Sequence, residues 1–289
     1  MGNDKKDDAS RLKIYFLPNL MTAGNLFCGF VALTKIVEAS TADPNFNTII
    51  RHALFFIFLA CIFDLLDGRV ARMGGSESPF GREFDSLADL ISFGVAPAFL
   101  VHRIVLREVF EQRPEIGWFI ASIYLICGAL RLARFNCLAA MSSSGGGREF
   151  LGFPIPAAAG LVASLTLFLM WLDERSFPTG NWRYALPVIL VFLSMMMVSE
   201  VKYPSFKKLD LRATKPFFRI VSVSIALGLG LILRNLILPI ILPLIFTAYL
   251  VYGFIRPRIS REMRKEIEEG DDEDDDEVIL ESPRNGTNS

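Results

Sequence analysis

The chain has 289 residues, of which 52% are hydrophobic and 12% aromatic, and its mean hydropathy is +0.40. Soluble domains have a lower apolar content, so this composition argues against a single soluble core and favours a membrane protein. The formal net charge is −1, with 30 Lys and Arg against 31 Asp and Glu. We expect membrane lipids, and no nucleic acid, among its partners.

Long apolar stretches recur along the chain, and each is close to the ~20 residues that a helix needs to cross a bilayer. They predict an all-α polytopic membrane protein with about eight transmembrane helices and a polar cavity that opens to the cytoplasm. The predicted spans cover residues 18–37, 52–71, 84–106, 117–138, 155–172, 184–200, 217–233 and 236–255.

The chain divides into a short lead-in (1–16), a transmembrane domain (17–256) and a tail (257–289) that is first basic and then acidic. The acidic run of the tail cannot bury enough apolar surface to fold, so we expect most of the tail to be disordered. With eight spans, most of the 30 Lys and Arg fall on the side that carries both termini. The positive-inside rule predicts that this side is cytoplasmic.

Four aspartates interrupt the second and third predicted spans. Asp64 and Asp67 are three residues apart and share one helical face, and Asp85 and Asp89, four apart, share a face of the next helix. The intervening segment 74–81 contains Gly and Pro, which allow the two helices to fold side by side. Clustered acids repel one another in an apolar setting, and divalent cations with oxygen ligands would offset that repulsion. An ionisable residue at this depth should face a water-filled cavity on the cytoplasmic side.

The pattern D-x2-D-G-x2-A-R-x8-G-x3-D-x3-D resembles the signature of the CDP-alcohol phosphatidyltransferase family. Every specified position is met, by Asp64, Asp67, Gly68, Ala71, Arg72, Gly81, Asp85 and Asp89. The alternative is a buried ion-pair network between two helices, but too few cations lie nearby to neutralise four acids. The resemblance implies two divalent cations, Mg²⁺ or Mn²⁺, held by the four aspartates, with Asp89 also acting as the general base. It also implies a homodimer.

The resemblance further implies a set of contacts to CDP-diacylglycerol, the donor of the phosphatidyl group. Gly68 and Ala71 leave room for a nucleotide, and Arg72 has a guanidinium that suits phosphate oxygens. Asn19 and Thr22 lie on one face of the first helix, in a P-N-x-x-T segment like that of the family. The expected contacts are therefore Asn19, Thr22, Gly68, Ala71, Arg72 and, in the following loop, Ser78.

Softer similarities within residues 17–160 resemble the branch of the family that uses serine as the acceptor alcohol. A serine carboxylate in a partly desolvated site needs a cation, and Arg131 and Arg134 lie at the cytoplasmic end of the fourth predicted span. Asn136 adds hydrogen-bonding capacity. Alternatively, the two arginines extend to anionic lipid head groups, and the residues alone do not choose between Arg131 and Arg134.

The sequence therefore predicts a metal-dependent transfer of the phosphatidyl group from CDP-diacylglycerol to L-serine, giving phosphatidylserine and CMP. Rival acceptors are glycerol 3-phosphate, inositol phosphate and choline. Outside this class, intramembrane acids also suit a cation transporter, although the chain has no internal repeat with a second set of acids.

Overall fold

The computed structural model describes residues 16–73, 78–141, 150–175, 184–203 and 238–255. Its helices are α1 (Phe16–Glu38), α2 (Phe46–Met73), α3 (Pro79–Asp89), α4 (Ala96–Val101), α5 (Arg107–Val109), α6 (Pro114–Met141), α7 (Ile155–Glu174), α8 (Ala185–Val198) and α9 (Leu238–Ile255). The π-helical segments Leu90–Val95 and His102–Leu106 join α3 to α4 and α4 to α5. The all-α fold class predicted from the sequence is thereby confirmed.

Six helices within the described residues are long and apolar enough to cross a membrane, and α8 is a shorter apolar helix. These six match six of the eight predicted spans, and α8 lies at the position of a seventh. The remaining predicted span, 217–233, lies outside the described residues, as do 1–15 and 256–289. The count of eight, the domain boundaries and the polar cavity therefore stay predictions.

The continuous helical rod Pro79–Val109 lies at the centre of the bundle. Of an apolar stretch of 18 residues in this rod, 61% is buried, compared with 56% for α7, 33% for α1, 28% for α2 and 22% for α9. The rod begins at Ser78, whose Oγ accepts a hydrogen bond of 2.9 Å from the Gly81 backbone N–H, with Pro79 as the first helical residue. Helices α1, α6 and α7 pack around it. The centre of the fold therefore carries two of the four aspartates.

The first π-helical segment has a local cause in the sequence. Pro97 has no backbone N–H, so the regular helical hydrogen bond to the residue four positions earlier cannot form. The Ala96 N–H instead bonds the carbonyl of Ile91, five residues earlier. The wider turn begins directly after Asp89 and includes Ser92, whose hydroxyl bonds to the backbone of α1 beside the site.

Two apolar clusters hold the bundle together. One joins α1, α2 and α4 through buried residues that include Ile36, Leu54 and Leu100. The other joins the central rod to α6, α7 and α8 through Phe93, Tyr124 and other buried side chains. Each fully buried large side chain contributes roughly 1.5–3 kcal/mol in aqueous transfer terms, but within a bilayer close packing replaces most of that driving force.

A short antiparallel sheet, which the sequence does not predict, pairs the segment before α7 with the segment after α8. Strands β1 (Phe150–Leu151) and β2 (Lys202–Tyr203) pair with Phe150 opposite Tyr203. Gly152 follows with a φ of 79°, a conformation that favours glycine, and a Cβ there would collide with the Met197 carbonyl oxygen. This turn brings the start of α7 against the end of α8.

Candidate metal and active site

Three of the predicted carboxylates converge between α2 and α3. One oxygen from each of Asp64, Asp67 and Asp85 lies within 4.8 Å of one oxygen from each of the others. Asp67 is buried, and Asp64 and Asp85 are half-buried. Carboxylate oxygens at this spacing form a donor set that suits Mg²⁺ or Mn²⁺, and the i,i+3 spacing in α2 brings two of them to one face. The residues present fit a divalent cation.

Asp89, the fourth carboxylate, has a different environment. It is 6% exposed, and its Oδ1 accepts a hydrogen bond of 3.0 Å from the Asn25 Nδ2. Asp64 lies within electrostatic range of Asp89, but Asp89 does not belong to the group of three carboxylates that converges within 4.8 Å. The structure therefore places Asp89 beside the cluster, one helical turn after Asp85. Its hydrogen-bond partner is the neutral amide of Asn25.

The first helix reaches this cluster through Thr22, and Asn19 lies one turn earlier on the same helix. The Thr22 hydroxyl donates to Asp67 Oδ2 at 3.2 Å and is also 3.2 Å from the Pro18 carbonyl. The Asn19 Oδ1 lies 3.3 Å from the position that a Cβ on Gly81 would occupy. Thr22 thus orients a cluster carboxylate, and Asn19 lies against the start of α3.

The other predicted CDP-diacylglycerol contacts fall along the same connection. Gly68 follows Asp67 directly in α2 and is half-buried. Ser78 is buried and caps α3, so its hydroxyl has a structural role at the helix start. Ala71 and Arg72 belong to α2, but their side chains lie outside the described part of the chain.

The three residues predicted to bind serine separate into two kinds. Arg131 is 7% exposed, lies within electrostatic range of Asp64 and Asp89, and its Nε has no hydrogen-bond partner among the described residues. The Arg134 guanidinium donates to the backbone carbonyls of Val198 and Ser199, each at 3.0 Å. The structure thus separates two arginines that the sequence leaves equivalent.

The Asn136 side chain joins α6 to α3. Its Nδ2 donates to Ser86 Oγ at 2.9 Å and to Glu83 Oε2 at 3.3 Å. The Ser86 hydroxyl in turn donates to the Arg82 carbonyl. These contacts account for Asn136 as a link between helices.

Sequence reasoning missed Asn25, which is fully buried and bonded to Asp89. Its spacing could have identified it, because Asn25 lies three residues after Thr22 and six after Asn19, on the same face of α1. It also missed Ser92, whose hydroxyl donates to the Asn25 backbone carbonyl at 2.9 Å. That contact depends on the π-helical turn, which a regular helical projection does not anticipate.

Comparison with known proteins places this site in a family. The model of the CDP-alcohol phosphatidyltransferase family matches residues 15–200. A CDP-diacylglycerol–serine O-phosphatidyltransferase of Helicobacter pylori (strain ATCC 700392 / 26695) is 36% identical over 244 residues, covering 84% of this chain and 91% of the relative.

Two further relatives extend the comparison. A protein of the same name from Bacillus subtilis (strain 168) is 36% identical, covering 67% of this chain and 92% of the relative. An archaetidylserine synthase of Methanothermobacter thermautotrophicus is 33% identical, covering 71% of this chain and 74% of the relative. The match to a transferase family favours an enzyme over the cation transporter left open above. The chain belongs to the CDP-alcohol phosphatidyltransferase family.

Proposed function

We propose that this protein is a CDP-diacylglycerol–serine O-phosphatidyltransferase, which forms phosphatidylserine and CMP. The observation that carries the proposal is a buried arginine, Arg131, beside a cluster of three carboxylates and the neighbouring Asp89, in a chain of this family. The carboxylates suit a phosphoryl-transfer centre, and Arg131 suits an anionic group on the acceptor. The names of the relatives above share serine and differ in the lipid, which supports serine as the acceptor.

The acids would hold two divalent cations, with Asp64, Asp67 and Asp85 as the converging ligands and Asp89 at the edge of the cluster. When bound, such cations polarise phosphoryl oxygens and neutralise charge that develops on the departing CMP. Thr22 fixes one of these carboxylates through its hydrogen bond to Asp67. We expect Asn19, Gly68, Ala71 and Arg72 to contact the nucleotide, with Ser78 acting through the capped start of α3.

Asp89 is our candidate for the general base. The serine hydroxyl oxygen forms a bond to the phosphorus that carries the diacylglycerol, and the bond from that phosphorus to CMP breaks. The hydroxyl proton passes to Asp89 as the attack proceeds, and CMP leaves with the electron pair of the broken bond. Asp89 supports this role because it lies next to the cluster but is bonded to a neutral amide.

Arg131 is our candidate for the serine carboxylate. Burial of a guanidinium whose Nε has no partner among the described residues is unfavourable unless an anion completes its hydrogen bonds. Arg134 and Asn136 make structural contacts to protein groups, so they support this pocket indirectly. A phosphorylated acceptor would bring more negative charge and call for additional cations.

The proposal is tested by incubating the purified protein with CDP-diacylglycerol, Mn²⁺ or Mg²⁺ and single alcohols. The panel contains L-serine, ethanolamine, glycerol 3-phosphate, inositol phosphate and choline, and the readouts are CMP release and the mass of the lipid product. We expect release with L-serine and formation of phosphatidylserine, with ethanolamine a poor acceptor. If CMP is released faster with glycerol 3-phosphate than with L-serine, the acceptor assignment is wrong but the class of reaction stands.

We further propose that the site and both termini face the cytoplasm and that the enzyme is a homodimer. The basic loops support the orientation, and the family resemblance supports the dimer. Cys137 is exposed at the end of α6 that lies near the site, whereas Cys61 and Cys127 are half-buried and Cys28 is buried. A membrane-impermeant maleimide should label wild-type protein, but not Cys137→Ser, in inside-out vesicles. Labelling of Cys137 in right-side-out vesicles instead would reverse the proposed orientation.

The dimer is tested separately by light scattering of the purified protein. A monomeric mass would exclude it.

A further inference from the structure

We propose that Asn25 is a positioning residue, which acts on the reaction by holding Asp89 in a fixed orientation. This inference rests on the proposed role of Asp89 as the general base. The Asn25 amide donates to one carboxylate oxygen, Oδ1, and thereby fixes the direction in which the other oxygen, Oδ2, points. Asn25 itself belongs to α1, whereas Asp89 ends α3.

The hydrogen bond is buried and its direction is defined. Asn25 is 0% exposed and Asp89 is 6% exposed, and the Nδ2–Oδ1 distance is 3.0 Å. The reversed amide would direct Oδ1 of Asn25 at a carboxylate oxygen, which is repulsive, so the amide must present its NH₂ group. A hydrogen bond to a charged group in a buried site is stronger than one between neutral groups. The orientation of Asp89 is therefore set by this contact.

The backbones that carry the two residues are held close together. The Ser92 hydroxyl donates to the Asn25 backbone carbonyl at 2.9 Å, and Ser92 lies in the π-helical turn that follows Asp89. Gly29, one turn after Asn25, permits this approach, because a Cβ there would lie 2.7 Å from the Ser92 Cα. This close packing fixes where the Asn25 amide stands relative to Asp89.

The hydrogen-bond partner of Asp89 is a neutral amide, which fixes the carboxylate by distance and direction. An amide orients the carboxylate without changing the net charge of the site. Asp64, Asp67 and Asp85 instead converge on one another, as ligands of a shared cation would. Asp89 thus differs from the three converging carboxylates in having an amide from α1 as its partner.

The test compares Asn25→Leu with a control, Thr166→Val, which removes a buried hydroxyl of α7 that bonds the Val162 carbonyl of its own helix and leaves the contact between Asn25 and Asp89 in place. Loss of a hydrogen bond to a charged group should lower kcat of Asn25→Leu by about 10- to 150-fold. We expect the KM for each substrate and the Mn²⁺ concentration for half activation to stay within about threefold. Thr166→Val should keep wild-type kcat.

A double-mutant cycle with Asp89→Asn separates positioning from a general structural effect. If Asn25 acts through Asp89, then adding Asn25→Leu to Asp89→Asn should lower kcat little further. Equal losses in both backgrounds, or an Asn25→Leu enzyme with kcat within threefold of wild type, would overturn the inference. Asn25→Ala serves the same cycle if the leucine variant does not fold.

The same experiment separates this inference from the proposed function. If wild type releases CMP with another alcohol instead of serine, the serine assignment fails and the cycle is run with that alcohol. If wild type uses serine but the cycle is additive, only the positioning role of Asn25 fails.

Discussion

The Arg134 guanidinium donates a hydrogen bond of 3.0 Å to the backbone carbonyl oxygen of Ser199, the residue that follows the last turn of α8. Arg131, one turn earlier in α6, is buried near Asp64 and Asp89, and its Nε has no partner within the described residues. One face of one helix thus carries an arginine with a structural role and an arginine suited to an anionic ligand. Substitutions of the two should have different effects.

We expect Arg131→Ala to raise the KM for serine by about 10- to 150-fold, because a charge-assisted hydrogen bond to the carboxylate is lost. The KM for CDP-diacylglycerol should change far less. Steady-state kinetics with each substrate varied in turn measure both values, and Arg131→Lys, which keeps the charge but loses the fork, should be intermediate. An unchanged serine KM in Arg131→Ala would place the carboxylate pocket elsewhere.

Arg134→Ala should instead lower stability, because two backbone carbonyls at the end of α8 lose their donor. Each unsatisfied buried group costs about 1–3 kcal/mol, with less lost where water or lipid head groups can replace it. Thermal unfolding in detergent measures the effect, with Arg175→Ala as a control on an exposed arginine that stacks on Trp171. A rise in serine KM equal to that of Arg131→Ala, without loss of stability, would contradict this division.

Removal of divalent cations should abolish turnover, since converging carboxylates repel one another without a cation between them. Excess EDTA should stop CMP release, and added Mn²⁺ or Mg²⁺ should restore it. Asp64→Asn and Asp85→Asn should lose metal binding, measured by calorimetry, together with activity. Undiminished CMP release in EDTA, or normal metal affinity in both variants, would exclude this cluster as the metal site.

Asp89→Asn should fold and bind CDP-diacylglycerol, yet lose most of its turnover. Removal of a general base lowers rates by about 10²–10⁴-fold, and loss of a metal ligand would add to that. Asn keeps the shape of Asp89 beside Asn25 while removing its ability to accept a proton. Single-turnover kinetics and binding of the donor lipid measure the two effects separately. Near wild-type turnover would remove Asp89 from the base role.

Gly29→Ala should destabilise the contact between α1 and the central rod. The new Cβ would lie 2.7 Å from the Ser92 Cα, so backbone must move, and such overpacking costs about 1–3 kcal/mol. Gly117→Ala is a milder control, because its Cβ would meet the Leu106 Cβ at 3.3 Å. We expect Gly29→Ala to lower both the unfolding temperature and kcat. Equal losses of unfolding temperature and kcat in the two variants would show that the contact between Gly29 and Ser92 is not tight.

Local spacing in the sequence predicts a large part of this protein. The apolar stretches predict the membrane-crossing helices, and the i,i+3 spacing predicts that Asp64 and Asp67 share one face, where Asp85 joins them in the structure. The roles of Arg131 and Arg134 depend on which residues of α8 lie opposite α6, which spacing within one helix does not specify. The contact between Asn25 and Asp89 likewise depends on packing between helices.

The π-helical turn after Asp89 has a consequence for how this span can be exchanged between relatives. One residue more in a helical turn rotates everything that follows by roughly 100°. Asp85 and Asp89 lie before the segment Leu90–Val95, and the rest of Pro79–Val109 lies after it. The faces of the two halves are therefore rotated relative to each other about the helix axis. A chimera can take either half of this helix from a relative. It must keep the number of residues between Asp89 and Pro97, because a change would rotate the apolar surface of one half away from the helices it packs against.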